Sequence, residues 1–274
     1  MNYRHAFHAG NFADVIKHIA LVSILTGLKK KPAPFAAIDT HAGRGLYDLT
    51  GEEALRSGEA VCGIGRVLDI ANGPETLRLY LDLVRGCGPG RYPGSPLIAA
   101  KLLRETDRLI AIEKRPEDFR ALSAVLAPFR RARAAEADGY ARLGALLPPP
   151  ERRGLILVDP PFEAPDEFAQ AVGAVAGALR RFATGIVVVW FPVKSAVAAD
   201  AFCGEVLALG PRKALRIDIA VDKPGDRLGA AGLLVINPPY GFSGDMAAVL
   251  DMVAPRLGRD GAARWEIRRL AGEE

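Results

Sequence analysis

Short apolar runs recur along the chain and stop abruptly at polar or loop-forming residues. Phe35-Ala-Ala-Ile38 runs into Asp39-Thr40-His41-Ala42-Gly43, Leu109-Ile-Ala-Ile112 into Glu113, and Leu155-Ile-Leu-Val158 into Asp159-Pro160-Pro161. Ile186-Val-Val-Val-Trp190 runs into Phe191-Pro192, and Leu215 to Val221 and Leu233 to Ile236 follow. Unbroken apolar runs predict strands of a sheet covered on both faces. Helical patterns such as Glu117 to Leu126 and Asp166 to Arg181 lie between most of them. That alternation predicts an α/β fold, doubly wound and mostly parallel. With Ala134 to Ala137 as the third strand, seven strands are expected. The stretch between Val221 and Leu233 is short and contains Asp222-Lys-Pro-Gly225, so the last strand is expected to return as an antiparallel hairpin.

A long gap, Leu46 to Asp107, separates the first two core strands. It holds helix-like stretches and the Gly/Pro-rich Gly86 to Pro96, and it reads as a helical insertion (46–107) within one domain spanning 1–274. The chain opens on an irregular segment, Tyr3 to Gly10. Asn11 then suits a helix cap with Asp14 three residues on. In that helix Asp14, Lys17, His18 and Leu21 share a face. Residues 1–10 are expected to be mobile and to lie near the site.

Composition narrows the class. Half of the 274 residues are hydrophobic and a quarter are charged, which are globular values. Net charge is only +4. Arginine outnumbers lysine three to one; a GC-rich genome explains that, and so does phosphate recognition by guanidinium forks. The best apolar stretch, Ala183 to Val193, is about half the length of a membrane span. Lys29-Lys30-Lys31 follows the early apolar run where a signal peptide needs small residues. Cys62, Cys87 and Cys203 are odd in number and scattered, which fits a reducing cytoplasm. All four histidines, His5, His8, His18 and His41, fall in the first 41 residues. Their spacing completes no convincing metal set; hydrogen-bonding and stacking roles are expected instead.

Candidate chemistry clusters at strand ends. Asp39 to Gly45 follows the first strand with glycines that let a ligand approach the backbone, but no P-loop is spelled. Glu113 ends the second strand, where a carboxylate suits a ribose diol. Asp138-Gly139 closes the third, as an acceptor for an exocyclic amine or as an ordinary turn. Asp159-Pro160-Pro161-Phe162 is the strongest signal. Paired prolines stiffen the turn and remove competing N–H groups, and Phe162 is placed to stack on a base. A second copy, Asn237-Pro238-Pro239-Tyr240, ends the antiparallel strand and is expected at the opposite edge of the sheet, away from a ligand site at the carboxyl ends. By the same reasoning Arg152, Arg153, Arg180 and Arg181 precede strands and are expected to be solvated on the far side. Arg44, Lys114, Arg115, Lys194, Lys223 and Arg227 follow strands and are expected at the rim, with Arg4 in the N-terminal segment.

Taken together, several blocks resemble a known family. Tyr3-Arg4-His5-x-Phe7-His8-Ala9-Gly10-Asn11, Asp39-Thr40-His41-Ala42-Gly43, Tyr92-Pro93-Gly94-Ser95-Pro96-Leu97-Ile98-Ala99, Ala137-Asp138-Gly139, Arg152-Arg153-Gly154-Leu155-Ile156 and Asp159-Pro160-Pro161 resemble the bacterial 23S rRNA adenine-N6 methyltransferases of the RlmJ type. The resemblance keeps the order of the blocks over nearly the whole chain. It implies a Rossmann-like class I methyltransferase fold, S-adenosylmethionine (SAM) as donor with S-adenosylhomocysteine as product, and no metal. It implies an adenine in domain V of 23S rRNA as acceptor, in RNA not yet packed with protein. By match to the motifs, His18, His41, Ser95, Glu113, Asp138, Gly139 and Asp159 are implied to contact SAM, with Asp159 as the catalytic acidic residue. Tyr3, His5 and Lys17 are implied to sit near the incoming adenosine, with Pro160 and Phe162 holding the base. Phe162 stands where tyrosine is common, which keeps a stacking face and loses a hydroxyl. A cytoplasmic monomer with no membrane attachment is expected. The rival readings are DNA adenine-N6 methylation, a SAM- or RNA-binding protein without catalysis, and methylation of a small molecule or a protein glutamine. The absence of a dedicated groove-reading element weighs against duplex DNA.

Overall fold

The structure is a computed structural model and describes residues 3–222, 228–259 and 263–272. After a short turn at His5–Phe7 comes α1 (Phe12–Lys29), then β1 (Ala36–Asp39) and β2 (Leu46–Asp48). Next are α2 (Glu52–Ser57), α3 (Glu59–Cys62), α4 (Glu75–Arg85), β3 (Arg91–Pro93) and α5 (Ser95–Leu102). The chain continues through β4 (Arg108–Glu113), α6 (Pro116–Leu126), β5 (Ala132–Glu136), α7 (Gly139–Leu143), β6 (Gly154–Val158), α8 (Glu167–Arg181) and β7 (Ile186–Pro192). It ends with α9 (Ala196–Ala208), β8 (Ala214–Ala220), β9 (Ala230–Ile236), α10 (Phe242–Leu257) and β10 (Arg264–Ala271).

The described residues form one eight-stranded sheet in the order β10-β8-β9-β7-β6-β1-β4-β5, and β2 and β3 make a separate two-stranded sheet. Strands β5, β4, β1, β6 and β7 are mutually parallel, and β9 runs antiparallel to both β7 and β8. The α/β class, the parallel core and the antiparallel hairpin strand thus follow the apolar pattern.

The count of seven strands is corrected to eight. The extra strand, β10, pairs antiparallel with β8 at the sheet edge. Its sequence, Arg-Trp-Glu-Ile-Arg-Arg-Leu-Ala, mixes charged and apolar residues because an edge strand is only partly covered. The third strand begins at Ala132 and ends at Glu136, two residues before the expected start and one before the expected end. Residues 46–107 carry β2 and β3 in addition to helices, and α5 packs on β1 and β4.

Two apolar layers sandwich the sheet. One centres on α1 with α4, α5 and α10; the other includes α8 and α9. Helix α1 is buried on nearly every side, so its apolar residues do not form a single stripe. Asn11 caps it, accepting the Asp14 N–H at 2.9 Å, as expected. The Asp14 carboxylate reaches one residue further back than in a capping box and accepts the Gly10 N–H at 2.9 Å. Among the described residues no helix is long and apolar enough to cross a membrane.

Candidate active site

The carboxyl ends of β1, β4, β6 and β7 open into a cleft of about 1120 Å³, partly roofed by the N-terminal segment. The sequence-selected residues converge here. Tyr3, His5, Lys17 and His18 come from the N-terminal segment and α1; His41 and Asp138 come from the loops after β1 and β5, Glu113 from the last position of β4, and Ser95 and Gly139 from the first positions of α5 and α7. Asp159, Pro160 and Phe162 come from the turn after β6. The second motif does not join them. Asn237 donates to the carbonyls of Ala183 and Gly185, which precede β7, so its turn lies at the other end of the sheet.

Four of these residues form a continuous chain with a fifth, Asp14. The Tyr3 hydroxyl meets His5 Nδ1 at 2.7 Å, and His5 Nε2 meets Asp14 Oδ2 at 3.0 Å. Lys17 Nζ then donates to Asp14 Oδ1 at 2.7 Å and to Asp159 Oδ2 at 2.5 Å. A carboxylate only accepts, so His5 Nε2 carries a hydrogen toward Asp14. Burial opposes charge at Asp14, yet His5 and Lys17 outweigh it and hold that carboxyl well below its usual range. Burial likewise opposes charge at Lys17, and the two carboxylates outweigh it, so the ammonium is held above the usual lysine range. Tyr3 is fixed further by Arg115, which donates to the Tyr3 carbonyl. His8 stacks on Tyr3, with ring centres 5.3 Å apart, and pairs with Glu59 at 3.0 Å.

The other sequence-selected residues are held differently. Burial lowers His18 to about 3 and His41 to about 4, so both rings are neutral near pH 7. His18 Nδ1 meets the Tyr92 hydroxyl at 2.8 Å, and His41 sits edge-on to the Tyr140 ring, 4.8 Å between centres. Glu113 accepts the N–H groups of Gly43 and Arg115 at 2.9 and 2.7 Å, while burial pushes its carboxyl up. Asp138 caps α7 through Ala141 N–H at 3.1 Å and takes Lys114 Nζ at 2.9 Å. Gly139 packs so tightly on the β1 loop that a Cβ there would lie 2.0 Å from the Thr40 carbonyl oxygen.

Three residues were not singled out from sequence. Asp39 lies beneath the cleft, accepts the Ser95 hydroxyl at 2.7 Å and the His41 N–H at 3.3 Å, and is pushed up to about 7 by burial. Its position in the Asp39-Thr40-His41 block was the available signal. Asp14 was placed on the right helix face but given no role. Trp190 lies two residues before the end of β7, beside the cleft, and its indole N–H is buried without a protein partner. A tryptophan closing an apolar run at a carboxyl strand end was the readable clue.

Phe162 adopts φ +51°, in the left-handed region that bulky residues avoid, as strain stored at a site often does. Its ring is braced by Phe168 and Trp190, with centres 4.8 and 5.8 Å away. The expected rim is partly corrected. Lys114, Arg115 and Lys194 line the cleft. Arg44 instead pairs with Asp118 at 2.9 Å, and Arg4 with Glu53 at 3.4 Å. Lys223 and Arg227 lie outside the described residues. Nor is Arg153 merely solvated: it donates to the carbonyls of Leu28 and Ala33 and ties the loop before β1 to β6.

Comparison with known proteins adds the following. The family model described as "Ribosomal RNA large subunit methyltransferase D, RlmJ" matches residues 32–268. The chain is 43% identical over 263 residues to Ribosomal RNA large subunit methyltransferase J of Escherichia coli, covering 94% of each. It is 38% identical over 280 residues to the protein of that name in Haemophilus influenzae, covering 100% of each. Among solved structures, protein LPL1258 of Legionella pneumophila superposes with a TM-score of 0.90 at 33% identity, covering 97% of this chain and 99% of that one.

Proposed function

The chain belongs to the ribosomal RNA large subunit methyltransferase family RlmJ, and on that premise we propose that it methylates N6 of a specific adenine in domain V of 23S rRNA, with SAM as donor. The convergence of Tyr3, His5, Asp14 and Lys17 on the Asp159 carboxylate carries this reading. The turn offers two acceptors, the Asp159 carboxylate and the Pro160 carbonyl, and an exocyclic amine has two hydrogens to donate.

The residues present fit the donor. Among the described residues, nine Asp and Glu against six Lys and Arg line the cleft, which suits a sulfonium cation. Glu113, at the end of β4, is the residue this reading assigns to the ribose hydroxyls. His18, His41, Ser95, Asp138 and Gly139 complete the cofactor contacts in this reading, with Asp159 nearest the transferring group. When bound, SAM supplies an electrophilic methyl group.

Adenine N6 is a weak nucleophile because its lone pair is delocalised into the ring. Asp159 and the Pro160 carbonyl, each accepting one N6 hydrogen, favour a pyramidal nitrogen with its lone pair free. Rate then comes mainly from holding that nitrogen in line. Lys17 stays protonated, so it orients and balances Asp159 and is not the acceptor of the N6 proton, which leaves to Asp159 or to water. Extracting the base from its stack costs a few kcal/mol. Stacking on Phe162 offsets about 1–3 kcal/mol of that, and Phe168 and Trp190 keep the ring in place. Tyr3 and His5, anchored through Arg115 and Asp14, cover the incoming nucleoside.

The test is incubation with labelled SAM and protein-free 23S rRNA, followed by mass spectrometry of the nucleosides. N6-methyladenosine is expected in domain V, and its absence overturns the reading.

A further inference from the structure

An acid-lined cleft repels the phosphates of the RNA it is read to act on, so affinity must be supplied elsewhere. The sheet register shows where. Ala36 lies beside Arg108 and Gly154, Leu155 beside Ile186, Val187 beside Ile236, and Ala214 beside both Ile236 and Ala271. The segments adjoining these residues therefore form one continuous row along the sheet end opposite the cleft.

That row is basic. Lys29, Lys30 and Lys31 are exposed before β1, and Arg130 and Arg131 before β5. Arg152 is exposed before β6, Arg180 and Arg181 before β7, and Arg212 and Lys213 before β8. The carboxylates in the described loops of this end are Glu105, Asp107 and Glu151. Asp107 is tied to Arg104 at 2.8 Å and Glu151 to Arg108 at 2.9 Å. Amid these cations stands Tyr240, 89% exposed, in the turn of the second Pro-Pro motif. It shares a shallow hollow of about 110 Å³ with Lys213, Pro238, Pro239 and Arg269. Asn237 pins this turn to the strands beside it: its side chain donates to Ala183 and Gly185, and its N–H to the Lys213 carbonyl at 3.0 Å. An exposed aromatic ring on a rigid turn among cations is suited to stacking an unpaired base whose backbone phosphates the cations hold.

We propose that this far end is a second RNA-docking surface, which grips the phosphate backbone and stacks one unpaired base on Tyr240 while another part of the same RNA enters the cleft. The inference rests on the rRNA reading above and deepens it. Helix α1 runs from the cleft to this end, so the two surfaces are about 27 Å apart along its axis. A compact, large RNA reaches both; a short stem-loop does not.

The test compares wild type with two exposed-surface variants, R180Q/R181Q/R212Q/K213Q and Y240A. Binding to protein-free 23S rRNA is measured by filter retention from about 50 to 200 mM salt. The fourfold variant is expected to weaken binding at least tenfold at the low-salt end. The slope of log K on log salt should become shallower by about 0.7 for each phosphate that is no longer neutralised. Y240A should weaken binding without changing that slope, SAM affinity should not move, and KM for the rRNA should rise while kcat holds. Affinity and slope equal to wild type in both variants overturn the proposal. So does loss of binding to anionic phospholipid vesicles with RNA binding intact, which assigns the surface to lipid. If wild type fails to methylate while the variants still lose RNA, the reaction is wrong and the surface stands. If wild type methylates and the variants bind normally, the reverse holds.

Discussion

At one end of the sheet carboxylates outnumber the basic side chains, and at the other guanidinium and ammonium groups outnumber the carboxylates, on the same strands. At the cleft, charge is buried and paired: Lys17 is 4% exposed between two carboxylates. At the far end, charge is exposed and set in a row. The net +4 of the whole chain is thus a small remainder of two opposed regions. Charge that orders reacting groups and charge that attracts a polyanion have different requirements, one needing dry partners and the other open solvent.

The sharpest way to break this division is Asp159→Ala. Methylation should drop below detection while rRNA affinity and its salt slope stay at the wild-type value. Full activity in that variant refutes the catalytic assignment. Next in size is Lys17→Met, which leaves a buried Asp14 and a partly buried Asp159 without their shared cation. It should destabilise the protein by about 3–5 kcal/mol in denaturant unfolding and lower kcat steeply. The pair Asp14→Asn with Lys17→Met should regain part of the stability and none of the activity. Recovery of both would mean the ion chain serves folding alone. Deleting residues 1–10 is expected to reduce turnover more than melting temperature, because Tyr3 and His5 end the chain that reaches Asp159. Equal losses would make the segment structural.

The smallest effect concerns Asp39. Its folded carboxyl sits at about 7, above the ordinary aspartate value, because burial disfavours the charge. The folded state therefore binds the extra proton between about pH 4 and 7, and stability falls as pH rises through that window. Asp39→Asn keeps an acceptor for Ser95 and removes the titration. Its melting temperature should gain on wild type as pH goes from about 5 to 7.5; parallel curves would exclude the linkage.

What could be read from sequence follows burial. Runs such as Leu155 to Val158 are covered on both faces, so their composition announces them. The motifs at Asp39, Glu113, Asp138 and Asp159 were readable because a strand end fixes a residue's place relative to the sheet. Strand β10 was not, since its partly exposed residues carry no continuous apolar signal. Trp190 read as the tail of a strand, and nothing local shows that its indole N–H lacks a partner. The link from Lys17 to Asp159 spans 142 residues and no pattern of spacing encodes it. Topology puts the second Pro-Pro turn at the far end, but only the register shows which cations stand beside Tyr240. The arginines before strands read as merely solvated for the same reason.

Helix α1 is apolar on nearly all sides, and its partners lie far along the chain. At a synthesis rate of roughly 5–20 residues per second, the 142 residues from Lys17 to Asp159 take roughly 7 to 30 s to appear. Throughout that interval Lys17 has only one of its two carboxylates, and α10, which packs on α1, has yet to be made. The hydrogen-bonded chain that starts at Tyr3 therefore closes only after the sixth strand has emerged.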